Sequence, residues 1–248
     1  MKRNSFLSIL LGLLGMIFFA AYNDNSSKHS IGDQWVSIAT VENPEGLPKF
    51  FFELDNHSKM WTAVSNYSNY RPESGQRIIA DYTILPEKPK GDNYDNDVKL
   101  NNIYEVLTKD LIKIDQSNRD YVGNTPIIIE NIWISNDFLN VEFTFKGYNK
   151  IHFINMGFNP SQSYNDDKIH LEFRHNDNDD IATHRSWGMA SFNIKSLQIA
   201  KRDSVIIVVH SKSYDSIKER MDELIYKFDD PGINARSIVL NKDKGKIE

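Results

Sequence analysis

From Ile31 onward the sequence runs in short stretches where apolar residues alternate with polar ones, each closed by a cluster of Gly, Pro, Asn, Asp or Ser. An alternation of period two puts one face of a segment on a core and the other in water, so the chain is constrained to an all-β fold, largely antiparallel. Trp35 to Val41 is the first such segment, and Phe50, Phe52 and Leu54 share one face of the second. Met60 to Val64, Arg77 to Leu85 and Val98 to Val106 follow, the middle one with Ile78, Ala80, Tyr82 and Ile84 on one side. Five strands at this spacing suit a small closed barrel, which leaves no free edges. By spacing alone, SH3-like and OB-like barrels fit equally.

The second half carries longer strands. Ile127 to Ile134, Phe138 to Phe145, Ile151 to Met156, Lys168 to Phe173, Trp187 to Phe192, Ser204 to His210 and a segment near Leu224 to Phe228 make about seven, the arithmetic of an antiparallel β-sandwich with one shared core. The change of texture puts the domain boundary between Thr108 and Tyr121. The last segment reads two ways: Ile217, Met221, Leu224, Ile225 and Phe228 have helical spacing, whereas Leu224, Tyr226 and Phe228 fit a strand. Spacing alone favours the helix slightly. Asp229 to Gly232 stops regular structure, and the charged run from Asn241 to Glu248 reads as a solvated tail.

Ahead of the strands, Lys2 and Arg3 precede an unbroken apolar stretch from Phe6 to Ala21, the layout of an export signal. As a helix it extends about 24 Å, short of a bilayer core of about 30 Å. Phe19-Ala20-Ala21-Tyr22 followed by Asn23-Asp24-Asn25 looks like a lipoprotein signal and its polar tether, except that Tyr22 stands where the lipid-accepting Cys belongs. Without a thiolate nothing carries the lipid. The sequence therefore predicts export to the periplasm or cell envelope, with any membrane contact made through the leader.

Cysteine is absent altogether, which removes disulfides, thiol nucleophiles, iron–sulfur clusters and Cys-containing zinc sites. A net charge of −5 argues against a phosphate-binding surface and hence against nucleic acid as a partner. No Gly-x-Ser-x-Gly elbow presents a nucleophile. Asp92 to Asp97 and Asn176 to Asp180 are rich in carboxylates, yet neither completes an EF-hand, and both read as solvated turns.

Several stretches together resemble one family. They are Gly32 to Val41, Tyr70 to Arg77, Asp81 to Leu85, Asn102 to Lys109, Lys150 to Asn155, His170 to Asn176 and Trp187 to Phe192. The chain is similar over nearly its whole length after the leader to the NigD-like proteins of Bacteroidetes. That resemblance implies an N-terminal OB-fold domain, here residues 31–108, and a C-terminal β-sandwich domain, here residues 109–228, between a leader (1–21) with its tether (22–30) and a polar tail (229–248). It also implies a strand at Glu223 to Phe228, which overrides the helical spacing. The resemblance implies an exported, usually lipid-anchored envelope protein, and the family is named from a bacteriocin operon in which such a protein was proposed to confer immunity; the leading expectation is a protein that binds a peptide or protein partner, with no catalytic activity and no cofactor. An accessory glycan-binding or structural envelope role is the alternative. The departure at Tyr22 puts lipidation in doubt, and the tail beyond Asp229 runs past the usual end.

Candidate site residues follow from chemistry. Trp35, Trp61, Tyr67 and Tyr70, with Phe51, offer rings on which a ligand stacks in an OB fold. His170, Glu172 and Arg174 share one face of a strand while Leu171, Phe173 and His175 share the other. Such a triplet serves structural pairing first and a partner-binding patch second, because Arg174 neutralises Glu172 and disfavours a metal. His152, His184 and His210 lie on or near strands, where local hydrogen bonding is the first expectation. Asp203-Ser204-Val205 and Asp215-Ser216-Ile217 match the short signal for O-glycosylation of exported Bacteroidetes proteins, which marks Ser216 and Ser204.

Overall fold

The computed structural model describes residues 34–87, 93–214, 219–228 and 247. The leader, the tether with Tyr22, and Ser216 lie outside the described residues.

The first five strands are β1 (Gln34–Glu42), β2 (Phe51–Leu54), β3 (Lys59–Ser65), β4 (Arg77–Ile84) and β5 (Asn96–Glu105). They close into a barrel in the order β1-β2-β3-β5-β4, with β3 and β5 parallel and the other neighbours antiparallel. The period-two rows point where the sequence places them: Phe50, Phe52, Leu54, Ile78, Ala80 and Tyr82 fill the interior together with Val98 and Leu100. Thr62 also points inward, its hydroxyl exchanging hydrogen bonds with the Phe50 backbone.

The second half contains β6 (Leu107–Asp110), β7 (Ile112–Lys113), one helical turn α1 (Arg119–Val122), β8 (Ile128–Ser135), β9 (Phe138–Gly147), β10 (Phe153–Phe158), β11 (Ile169–Asn176), β12 (His184–Asn193), β13 (Ser204–Ser211) and β14 (Arg220–Lys227). A four-stranded sheet, β6-β12-β9-β8, faces a five-stranded one, β14-β13-β11-β10-β7. Nine strands, not seven, build the sandwich, because β6 and β7 pair parallel to β12 and β10 at the sheet edges. β14 is a strand: Tyr226 is fully buried and its hydroxyl donates to Asp137 at 2.6 Å, while Met221 and Ile225 stand exposed. A helix would have set Met221 and Ile225 on the buried stripe and Tyr226 away from it.

The barrel and the sandwich belong to one compact unit and share a third apolar cluster. Ile38 and Ile79 from the outside of the barrel, with Val106, meet Trp187 and Met189 from the outside of the four-stranded sheet. Beside them Arg77 is fully buried, its guanidinium donating to both oxygens of Asp55 at 2.6 and 2.9 Å and to Thr40 at 2.9 Å. The same group reaches Asn140 at 3.5 Å and lies 4.7 Å above the Phe138 ring, both on the sandwich. The outer face of the four-stranded sheet is thus covered by the barrel. On the outer face of the five-stranded sheet Ile206 is exposed, while Glu172, Val208 and His210 are buried.

The tail corrects an expectation. Ile247, in the run read as solvated, bridges to His152 and packs on the sandwich core.

Candidate functional site

On the barrel, β2 and β3 place Phe51 and Trp61 directly opposite each other, pointing outward because Phe52 and Met60 point in. Their ring centroids are 4.4 Å apart, and Tyr94, from the loop before β5, completes a trio at 5.5 Å from Phe51 and 6.5 Å from Trp61. Lys59, which pairs with Glu42, sits 5.5 Å over the Phe51 ring. Partly buried rings held in this way form a rigid apolar ledge with one cation at its rim.

The other predicted barrel residues do not join this ledge. Tyr67 hydrogen-bonds Asn102, and Tyr70 donates to Glu105 at 2.9 Å while packing edge-on to Phe50. Burial and the Glu105 carboxylate raise the Tyr70 phenol well above its ordinary range, so it stays a donor. Trp35 continues the inward row of β1 past the end of the barrel and stands 48% exposed at one mouth.

On the sandwich, β11 splits as its alternation requires: Leu171, Phe173 and His175 are buried in the core, and His170, Glu172 and Arg174 face out. Glu172 is clasped by Arg174 Nε at 2.7 Å and by Asn159 at 3.2 Å. His170 joins a different group. Its Nδ1 lies 2.9 Å from His210 Nε2, its Nε2 lies 3.0 Å from Asp166, and His210 Nδ1 lies 3.0 Å from Glu219. Tyr164 stacks on the His170 ring at 3.5 Å, almost parallel. The hydrogen bond from His170 holds the Asp166 carboxyl below its ordinary range. Arg174 also borders a cavity of 510 Å³ whose wall includes Arg119, Asn124, Asn159 and Gln162.

The remaining histidines separate. His184 bonds Thr183 and stacks on Tyr148. His152 instead meets His175 inside the sandwich, Nδ1 to Nε2 at 2.8 Å, while its own Nε2 lies 3.2 Å from Asp180. Burial, reinforced by the neighbouring His152, pushes the His175 imidazole down to about 4. Burial also works against the Asp180 carboxylate, but the Tyr148 N–H, His152, and the Asn149 and Ile181 N–H groups outweigh it and hold the carboxyl well below its usual range. Asn178 and Asp179 are exposed at the tip of this turn, as expected of a solvated turn, while Asp180 ties its base to the sandwich. Asp95 likewise accepts from the Lys59 N–H. Among the described residues no group of three or more His, Asp or Glu side chains is placed to hold a metal ion, and no helix is long and apolar enough to cross a membrane. Ser204 is exposed at the start of β13, paired with Lys227.

Sequence reasoning missed Tyr94 and Tyr164, which sit in polar loops where no periodicity marks them. It also missed Arg77 and Asp55, which stand 22 positions apart.

Comparison with known proteins supplies two matching family models. Residues 38–106 match the NigD-like N-terminal OB domain, and residues 110–223 match the NigD-like C-terminal beta sandwich domain. A protein from Parabacteroides distasonis whose name calls it toxin-related is 32% identical, with a TM-score of 0.67 over 79% of this chain and 95% of its own. A protein of unknown function from Bacteroides vulgatus is 25% identical, with a TM-score of 0.66 over 82% and 96%. A NigD-like immunity protein from Bacteroides caccae shares the fold at 14% identity, with a TM-score of 0.61 over 82% and 100%. Among curated proteins none matches.

Proposed function

Because the chain belongs to the NigD-like family, we propose that it is an exported cell-envelope protein of the bacteriocin-immunity type, acting by binding a peptide or protein partner and not by turnover. The observation that carries this reading is the Phe51–Trp61–Tyr94 ledge. It lies on the second and third strands of the barrel, the face through which OB folds take extended ligands. Large rings held in place give contact area at little conformational cost, which is what a binding hot spot requires. Export rests on the leader, and the toxin-related name of the Parabacteroides distasonis protein agrees with a role in antagonism. On the sandwich, Arg174 at the edge of its cavity is the second point offered to a partner, with Glu172 buried beside it.

The test is the sensitivity of a gene-deleted strain to secreted antibacterial material from its own and neighbouring strains. The intact gene restores resistance, and Trp61→Ala, produced at the same level, does not. Unchanged sensitivity of the deleted strain across active producers overturns the immunity reading. The same flat rings favour a glycan as the second reading, supported instead by saturable oligosaccharide binding that Trp61→Ala abolishes.

A further inference from the structure

Ile247 meets the sandwich beside His152, outside the named strands of either sheet. His152, one residue before β10, is fully buried with both ring nitrogens engaged, and its main chain forms a parallel bridge with Ile247. The Ile247 side chain is partly buried against the sandwich core. Gly188 makes the room: a Cβ placed there lies 3.3 Å from Ile247 Cδ1 and only 2.6 Å from the Phe143 ring. On β9, Gly147 does the same for the wall, since a Cβ there lies 2.8 Å from His152 Nε2 and 3.0 Å from Asp180 Oδ2. A main-chain rail beside an apolar hole is the geometry of strand addition, in which backbone pairing gives affinity and the side-chain hole gives selectivity.

The matched sandwich domain ends at residue 223 and β14 ends at Lys227, so nothing in the sandwich itself requires Ile247. Nor does the tether force it there. The 19 residues from Phe228 to Ile247 span about 60 Å when extended, far more than a sandwich needs. Ile247 is also the one large apolar residue among 241–248, where Lys242, Lys244 and Lys246 alternate with Asp243 and Gly245 and Glu248 follows. The rim of the seat is the turn from Asp177 to Asp180, whose Asp180 bonds His152 and whose Asn178 and Asp179 carbonyls accept from Lys150.

We propose that this seat is a peptide-binding site of the sandwich, selective for an extended segment that offers one isoleucine to the hole, and that Ile247 of the same chain is its resident occupant. Linkage within one molecule gives the tail a high effective concentration, so the seat stays closed to weaker peptides. The proposal is independent of the barrel ledge and of the immunity reading.

The experiment uses the full chain and a fluorescent peptide of residues 241–248, followed by anisotropy. Ile247→Asp in the full chain empties the seat, so this variant binds the peptide saturably and at least tenfold more tightly than the native chain. A peptide that itself carries Ile247→Asp binds neither. Far-UV circular dichroism verifies that the variant is folded, and amide exchange at His152 and Phe153 speeds up in it. A folded variant that captures no peptide overturns the proposal, as does equal binding of the two peptides. Native chain that sediments as a dimer, and as a monomer after Ile247→Asp, moves the occupant to a second copy and overturns the assignment within one chain.

Discussion

Where the barrel meets the sandwich, the buried polar group is Arg77 with Asp55; inside the sandwich it is His152 with His175 and Asp180. The first group carries charge permanently, because a guanidinium does not lose its proton in a protein. It meets a two-pronged ion pair, a hydroxyl, a carboxamide and an aromatic face, with Nε buried and without a hydrogen-bond partner. The second keeps His175 neutral at physiological pH, since burial holds its imidazole near 4. One network is therefore intolerant of losing a partner and the other is intolerant of gaining a proton. The ion pair itself lies within the barrel, and the same guanidinium reaches the sandwich through Asn140 and the Phe138 ring.

Removal of Arg77 is the severest test of that contrast. Arg77→Met leaves Asp55 buried without its cation, and this costs about 3–5 kcal/mol, read from urea unfolding at pH 7. Arg77→Met combined with Asp55→Leu recovers most of the loss, because replacing a whole buried pair by apolar groups is often neutral. A single-variant loss below about 1 kcal/mol breaks the comparison.

Acid is the corresponding test for the histidines. Between about pH 6.5 and about 4 the unfolded chain protonates this imidazole and the folded chain does not. The unfolded state then binds more protons, so stability rises with pH. The contribution is fully present above pH 6.5 and is lost as pH falls towards 4, on the order of 3 kcal/mol in total. Unfolding midpoints measured across that window show the slope in the native chain and a flatter one in His175→Gln. A native slope that survives in the variant assigns it to other groups.

These networks also mark where the sequence stops being informative. Ile78, Ala80 and Tyr82 announce their shared face by alternation, and the barrel interior follows from such rows. Ile79 and Ile38 break the pattern, because a strand covered on both faces does not alternate, and only the partner sheet explains their burial. β7 has two residues, too few to carry a period. The outward row of His170, Glu172 and Arg174 was legible, as was the inward row ending at His175. That His170 would pair with His210 and His175 with His152 was not, since each pairing depends on which strands become neighbours. Residues in the Asp229 to Glu248 run looked solvated by composition, and Ile247 shows how one apolar side chain with a fitting hole outweighs a charged context.

The smallest effect tests whether the sandwich interior near that hole is as closely packed as the junction. Gly188 and Met189 are neighbours on β12, Met189 against the barrel and Gly188 towards the sandwich core. Gly188→Ala restores a side chain that strands favour, worth roughly 0.5–1 kcal/mol, but its Cβ falls 2.6 Å from the Phe143 ring. Overpacking of that kind costs roughly 1–3 kcal/mol, so the net expectation is a loss of about 1 kcal/mol at neutral pH. If urea unfolding shows Gly188→Ala to be more stable than the native chain, the Phe143 ring moves freely and the interior here is looser than the junction. If the loss appears and is unchanged by adding Ile247→Asp, the strain lies wholly with Phe143. A smaller loss in the double variant assigns part of it to the crowded Ile247 side chain, because sites that share a contact do not add.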